Sequence, residues 1–136
     1  MEAFCYDWVM DTSFEIKAST IPSAGNGVFA LKDFNKGSFL EVKPRGSTVG
    51  VEMLEKDIPA HLLHYCIALA DDKWICPRDF NNMEPVWYLN HSEDPNAELG
   101  DGGYYSISDI RAGEEILIDY NQFNEPEEKK ESFYRK

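Results

Sequence analysis

Apolar and polar positions alternate along Phe14-Glu-Ile-Lys-Ala, the period of a half-buried strand. Ile21-Pro-Ser-Ala-Gly-Asn-Gly interrupts the alternation as a turn in which Gly25 and Gly27 free the backbone. Val28-Phe-Ala-Leu is a short buried strand, Asn35-Lys-Gly turns, and Ser38-Phe-Leu-Glu-Val returns as a strand. Over residues 50–70 the spacing becomes helical. Ile58-Pro59 suits a helix start, and Leu62, Leu63, Cys66, Ile67 and Ala70 form one apolar stripe at intervals of three and four. Trp74-Ile-Cys-Pro reads as a strand ended by proline, and Asn81-Asn-Met-Glu-Pro as loop. Tyr104-Tyr-Ser-Ile-Ser-Asp-Ile partly alternates, Arg111-Ala-Gly turns, and Glu115-Ile-Leu-Ile-Asp-Tyr predicts a final core strand.

The two ends differ. Residues 1–12 hold Phe4, Tyr6, Trp8, Val9 and Met10, too apolar for a free tail, and predict an arm over residues 1–13 laid on the core. The charged tail 125–136 suits a short helix. Many short strands, frequent turns and about one helix make the fold class mostly β, without the strand–helix alternation of a doubly wound sheet.

The length of 136 residues predicts one domain, able to bury about two-thirds of its open-chain surface. An apolar share of 43% with 13% aromatics excludes a disordered chain. The net charge of −12 argues against general nucleic-acid binding and leaves room for a cationic partner. The longest nearly uncharged apolar stretch, Leu62 to Ala70, is far short of the roughly 20 residues of a membrane span. The opening residues lack the cationic lead and apolar run of a secretion signal. Cys5, Cys66 and Cys76 form no CxxC pair and no metal framework, so no metal is expected, and a reducing compartment, cytoplasmic or nuclear, is.

Three blocks carry chemistry: Gly25-Asn-Gly-Val-Phe-Ala, Tyr88-Leu-Asn-His-Ser-Glu-Asp-Pro-Asn96, and Asp109-Ile-Arg-Ala-Gly-Glu-Glu-Ile-Leu-Ile-Asp-Tyr120. Singly, each has an ordinary reading. A GxG is a common turn, Asn-His-Ser-x-x-Pro-Asn suits a loop bonded to its own backbone, and Tyr120 suits a core tyrosine with its hydroxyl at the rim. In this order and spacing they resemble the SET-domain family of protein lysine methyltransferases, over about residues 14–124.

The resemblance implies a SET-domain fold of short curled sheets, an insert at about 45–85, and a C-terminal segment threaded beside the Asn-His-Ser strand. It implies S-adenosylmethionine (S-adenosyl-L-methionine) as cofactor, with Gly25, Asn26 and Gly27 against its methionine end and Asn90 and His91 meeting it largely through backbone and the Asn amide. Tyr120 matches the family's active-site tyrosine. The substrate lysine enters a narrow channel from the opposite face. Tyr65 resembles the family's channel tyrosine, against plain helix packing. Tyr105 sits at a strand aromatic for which packing is the simpler role, and Phe123 is placed to close the channel. Trp74 and Trp87 read as core. Ile118 stands where several members carry an aromatic that limits methylation, so the smaller side chain permits more.

This chemistry suits these residues. An amine attacks a sulfonium methyl in line, and no metal is needed. The lysine must be neutral, although its free pKa is about 10.4. A water-poor aromatic channel and the positive sulfur both lower it. Alignment removes up to about 7–11 kcal/mol of such a barrier in well-oriented models. Tyr120 orients and is not assigned as the base, since a phenol titrates near about 10.

Residues 91–128 contain eleven Asp or Glu and one Arg, a net of −10. Such a field steers a basic protein or peptide, a histone tail being the family's commonest substrate, while the ordinary reading is solubility. The cysteine-rich zinc segments that flank many members are missing from this sequence, and Glu93 stands where a Cys is common. The channel lid then falls to residues 121–136, with Phe123, Phe133 and Tyr134 as candidates, to a partner subunit, or to the substrate; an oligomer is compatible with this. A protein-lysine N-methyltransferase is the leading reading. The alternative is a non-catalytic SET-like module that binds a basic tail or partner.

Overall fold

The computed structural model describes residues 13–43 and 50–135, so the expected N-terminal arm and Cys5 lie outside the described residues. Among the described residues ten short strands form three small sheets, joined by short 3₁₀ helices. The strands are β1 (Phe14–Ala18), β2 (Asn26–Ala30), β3 (Phe39–Leu40), β4 (Gly50–Leu54), β5 (Ile67–Ala68), β6 (Lys73–Pro77), β7 (Asn90–His91), β8 (Ala97–Gly100), β9 (Gly103–Ser106) and β10 (Glu115–Ile118).

The largest sheet has the order β1-β2-β10-β7. β1 and β2 pair antiparallel from Phe14↔Ala30 to Ala18↔Asn26, and the turn between them includes Gly25 at φ +73°. β10 comes late in the chain yet lies inside the sheet, antiparallel to β2 and parallel to β7. The second sheet is β3-β9-β8 and the third, β4-β6-β5, is made wholly from residues 50–77.

Two cores follow from this division. Val28, Ala30, Leu40, Val42, Leu89, Ile110, Ile116 and Ile118 fill the space between the first two sheets. Ile58, Cys66, Ala68, Trp74 and Cys76 form a second, smaller core under the third.

The structure corrects the sequence reading of residues 50–70. Gly50–Leu54 is a strand, and the apolar stripe forms a six-residue 3₁₀ segment, Ala60–Tyr65, followed by β5. No α-helix occurs among the described residues. A segment this short gains little as an isolated helix. Pairing Ile67↔Ile75 and Ala68↔Trp74 satisfies the edge of β6 instead. The tail likewise forms two 3₁₀ turns, Glu127–Lys129 and Ser132–Tyr134. No helix among the described residues is long and apolar enough to cross a membrane.

Candidate functional site

The Asn90-to-Asn96 block grips β10 from both ends. Leu117 and Ile118 pair with Asn90 and His91. Asn96 then holds the same strand with its carboxamide, donating from Nδ2 to the Glu115 carbonyl (2.9 Å) and accepting at Oδ1 from the Leu117 N–H (2.8 Å). Asn90 Nδ2 donates to the Asn26 carbonyl and to Glu115 Oε2, both at 2.9 Å. The amide nitrogen is thereby committed to protein.

Glu115 is the centre of this network, and sequence reasoning assigned it no role. Its carboxylate is buried, yet it accepts from Ser19 Oγ (2.8 Å), Thr20 N (3.1 Å), Thr20 Oγ1 (2.8 Å) and Asn90. Burial pushes its carboxyl pKa up, but the hydrogen bonds from Asn90, Thr20 and Ser19 outweigh that and hold it below the ordinary value. Gly27 leaves the space the carboxylate fills, since a Cβ there would overlap it. At Gly25 the surroundings are open, with no heavy atom within 4 Å of a Cβ position, so bare backbone faces outward.

Tyr120 sits where β10 ends. Asp119 caps the following turn by accepting from Asn121 N (2.9 Å). The Tyr120 N–H donates to His91 Nδ1 (3.0 Å), which fixes the imidazole proton on Nε2. The Tyr120 hydroxyl donates to the Leu89 carbonyl (2.6 Å). Burial, reinforced by the Glu131 charge, pushes this phenol well above its usual range, so it stays protonated and works as a hydrogen-bonding group. Its ring touches His91 (5.2 Å between centroids), Phe123 (5.9 Å), Phe133 (6.1 Å) and, edge-on, Tyr134 (5.1 Å).

A cavity of about 340 Å³ is lined by residues of both cores, with Tyr120, Phe123 and Tyr134 of this cluster in its wall. Tyr65, Cys66 and Trp74 line it from the third sheet and its 3₁₀ segment. Val86, Trp87, Leu89, Ile118, Tyr120 and Phe123 line it from the main body, and Glu125, Lys129, Glu131 and Tyr134 from the tail. Gly25, Asn26, Gly27, Asn90 and His91 are not among its lining. Tyr120 belongs to both groups: it lines the cavity and packs on His91.

Of the channel candidates, Tyr65, Ile118 and Phe123 come together at the cavity. Tyr105 does not. It packs edge-on against Phe39 (5.3 Å) in the second sheet and donates its hydroxyl to the Asp101 carbonyl (2.6 Å). Trp74 is buried in the smaller core as expected, but it also faces the cavity, and Trp87 is only half-buried. Among lid candidates Tyr134 is buried, its hydroxyl donating to Glu125 Oε1 (2.6 Å), whereas Phe133 is 59% exposed. Glu125 Oε2 accepts from the Ala68 N–H (2.7 Å), which ties the tail to β5. Glu125 and Lys129 carried no sequence signal beyond charge.

Comparison with known proteins gives a consistent answer. Residues 25–121 match the family model of the SET domain. A Plasmodium falciparum protein, crystallised as a "putative histone methyltransferase", superposes with a TM-score of 0.54 at 24% identity, covering 81% of this chain and 94% of that one. A structure of ctPRC2 in an autoinhibited conformation bound to S-adenosylmethionine superposes with a TM-score of 0.60 at 19% identity, covering 82% of this chain and 15% of that one. At these identities the likeness speaks to the fold. No curated protein matches by sequence.

Proposed function

Because the chain belongs to the SET-domain family, we propose that it is a protein-lysine N-methyltransferase that uses S-adenosylmethionine and acts on a basic protein tail, such as a histone tail. One observation carries this reading. Tyr120 lines an aromatic, acid-edged cavity and is bonded through its N–H to His91 Nδ1, in the block that Asn90 ties to the glycine turn.

The residues suit the cofactor. The open backbone at Gly25 and Asn26 lets a ligand lie against peptide groups, with Asn90 adding its Oδ1 and backbone, since its amide nitrogen is already committed. When bound there, S-adenosylmethionine supplies an electrophilic methyl group on a sulfonium.

The chain's own contribution is desolvation and aim. Tyr65, Trp74, Trp87 and Phe123 exclude water from the cavity, which lowers the pKa of an entering lysine and favours its neutral form. Glu125 and Glu131 in the lining attract a cationic side chain to the cavity before it loses its proton. The Tyr120 hydroxyl spends its hydrogen on Leu89, so its oxygen presents lone pairs to an amine N–H and orients the nitrogen. Ile118 gives a less bulky wall than an aromatic, which suits more than one methylation.

Calorimetry with S-adenosylmethionine and transfer of labelled methyl to core histones and to a total lysate test the reading. Wild type should bind the donor and label a basic protein, and Tyr120→Phe should lose about 100-fold or more in rate with donor binding retained. Donor binding with no labelled band would leave the non-catalytic module. Unchanged labelling by Tyr120→Phe would remove the assignment of this residue.

A further inference from the structure

The third sheet brings together two cysteines that the sequence keeps apart. β5 and β6 pair Ile67↔Ile75 and Ala68↔Trp74, and one step further along the same antiparallel ladder Cys66 stands opposite Cys76. Cys66 directly follows the 3₁₀ segment and already has an extended backbone, φ −100° and ψ 160°. The Leu69 N–H donates to the Lys73 carbonyl (2.9 Å), so residues 69 and 73 are a hydrogen-bonded pair. Pair types alternate along such a ladder, which makes Cys66–Cys76 a non-hydrogen-bonded pair. The amides agree: Ala68 donates to Glu125 Oε2 and Cys66 to the Leu63 carbonyl, neither across to β6.

At such a position the Cα atoms lie about 4.5 Å apart and the side chains come closest. A disulfide spans Cα atoms about 4.4–6.8 Å apart. Both cysteines face the smaller core, on the side of the ladder shared with Ala68 and Trp74. Both are free, and their thiols lie within hydrogen-bonding reach of each other. We propose that Cys66 and Cys76 are a reversible disulfide pair, closed by a hydroperoxide and reopened by thiols, that locks one wall of the cavity.

Cys66 keeps 8% of its surface accessible and belongs to the cavity lining, whereas Cys76 is wholly buried, so a small oxidant meets Cys66 first. The Cys66 sulfur, having given up its proton, attacks one peroxide oxygen. The O–O bond breaks, the departing hydroxide takes that proton to become water, and a sulfenic acid remains. The Cys76 sulfur then attacks the Cys66 sulfur. The S–O bond breaks, the S–S bond forms, and a second water leaves with the Cys76 proton. Two thiols are oxidised and one peroxide is reduced to two waters. A thiol reductant reverses the bond by exchange and ends as its own disulfide. Burial pushes both thiols above their ordinary range, so the first step is slow at neutral pH, while contact between the partners speeds the second.

The bond closes residues 66–76 into a loop. β5 is a two-residue strand at the edge of its sheet, and Tyr65, Cys66 and Ile67 line the cavity. β6 is held on its other side by β4 from Gly50↔Pro77 to Leu54↔Lys73. The bridge thus ties a lightly held wall to a firmly held strand. It needs neither methyl donor nor acceptor to form.

The test is mass spectrometry of the folded, full-length protein treated with hydrogen peroxide, alkylated with iodoacetamide and digested with trypsin without reductant. Cleavage after Lys56, Lys73 and Arg78 leaves Cys66 in peptide 57–73 and Cys76 in peptide 74–78, so a disulfide is what holds the two together. The linked pair should be the main product, free thiols should fall from three to one per chain, and dithiothreitol should restore all three. Cys76→Ala should yield no bridge on Cys66. Both peptides recovered alkylated, either one linked to Cys5, or Cys66 carried to the sulfinic acid with Cys76 still alkylated would overturn the pairing. Hydrogen exchange over residues 65–70 should slow about fivefold or more in the bridged form, and unchanged exchange would overturn the lock.

Discussion

The backbone of Gly27 lies directly against the carboxylate of Glu115, in the space any Cβ would take. Asn90 Nδ2 also crowds that position, at 3.0 Å. Gly27→Ala must therefore push apart a buried acid and its donor. The expected loss is about 1–3 kcal/mol. Gly25→Ala meets no neighbour and bears only the strain of φ +73°, about 1 kcal/mol. Urea unfolding of the two variants should rank Gly27→Ala as clearly the weaker, and equal midpoints would count against the close fit.

Glu115 also sets an acid limit. Its folded pKa is held below the ordinary 4.5, so the unfolded state binds the proton more readily. The carboxylate's contribution is full above about 4.5 and is lost as pH falls through the lower folded value. Glu115→Gln should therefore be less stable than wild type at neutral pH, and the gap should narrow in acid. Urea midpoints measured from neutral pH downward give this directly, and a gap that stays constant with pH would reject it.

Three tyrosines set the alkaline limit. Burial pushes Tyr104 up to about 12, and burial with nearby Glu131 and Glu125 pushes Tyr120 and Tyr134 higher still. Raised folded values mean that their contribution is full below the unfolded value of about 10 and is lost as pH rises through the folded ones. Denaturant midpoints should fall above pH of about 10, while phenolate absorbance shows some tyrosines still neutral in the folded protein. A complete phenolate signal near pH 10 without unfolding would contradict the burial of these rings.

Tyr134→Phe should loosen the tail. It removes a 2.6 Å bond to the buried Glu125 carboxylate, which then keeps its bond from the Ala68 N–H. Hydrogen bonds to charged groups contribute about 1.5–3 kcal/mol. Limited proteolysis should cut this variant between residues 125 and 135 faster than wild type, and equal cleavage would argue against the tie.

Alternation made β1 legible, although Ile16 is 37% exposed, and β2 was legible as a continuous apolar run, Val28–Ala30 being buried throughout. The Asn90–Asn96 block was legible as a unit, but its work was not. Only the fold reveals that both asparagines clasp β10, and that the second of two adjacent glutamates is the one turned inward. Residues 60–70 misled because helical spacing and a short 3₁₀ turn with a strand share the same apolar positions, and the pairing with β6 decides between them. β8 was missed because only Ala97 of its four residues is buried, so it leaves no apolar trace. Lys129 reads as one more surface charge until the tail's path is known.

The placement of β10 inside the principal sheet has a consequence for synthesis. Asn90 and His91 emerge from the ribosome well before the strand that will run alongside them, and until Ile118 is delivered the earlier strands have a gap where their central member belongs. Contacts this distant along the chain form slowly. A nascent chain stopped short of Ile118 thus carries an unfinished principal sheet, with Asn90 and His91 still lacking the strand they pair with.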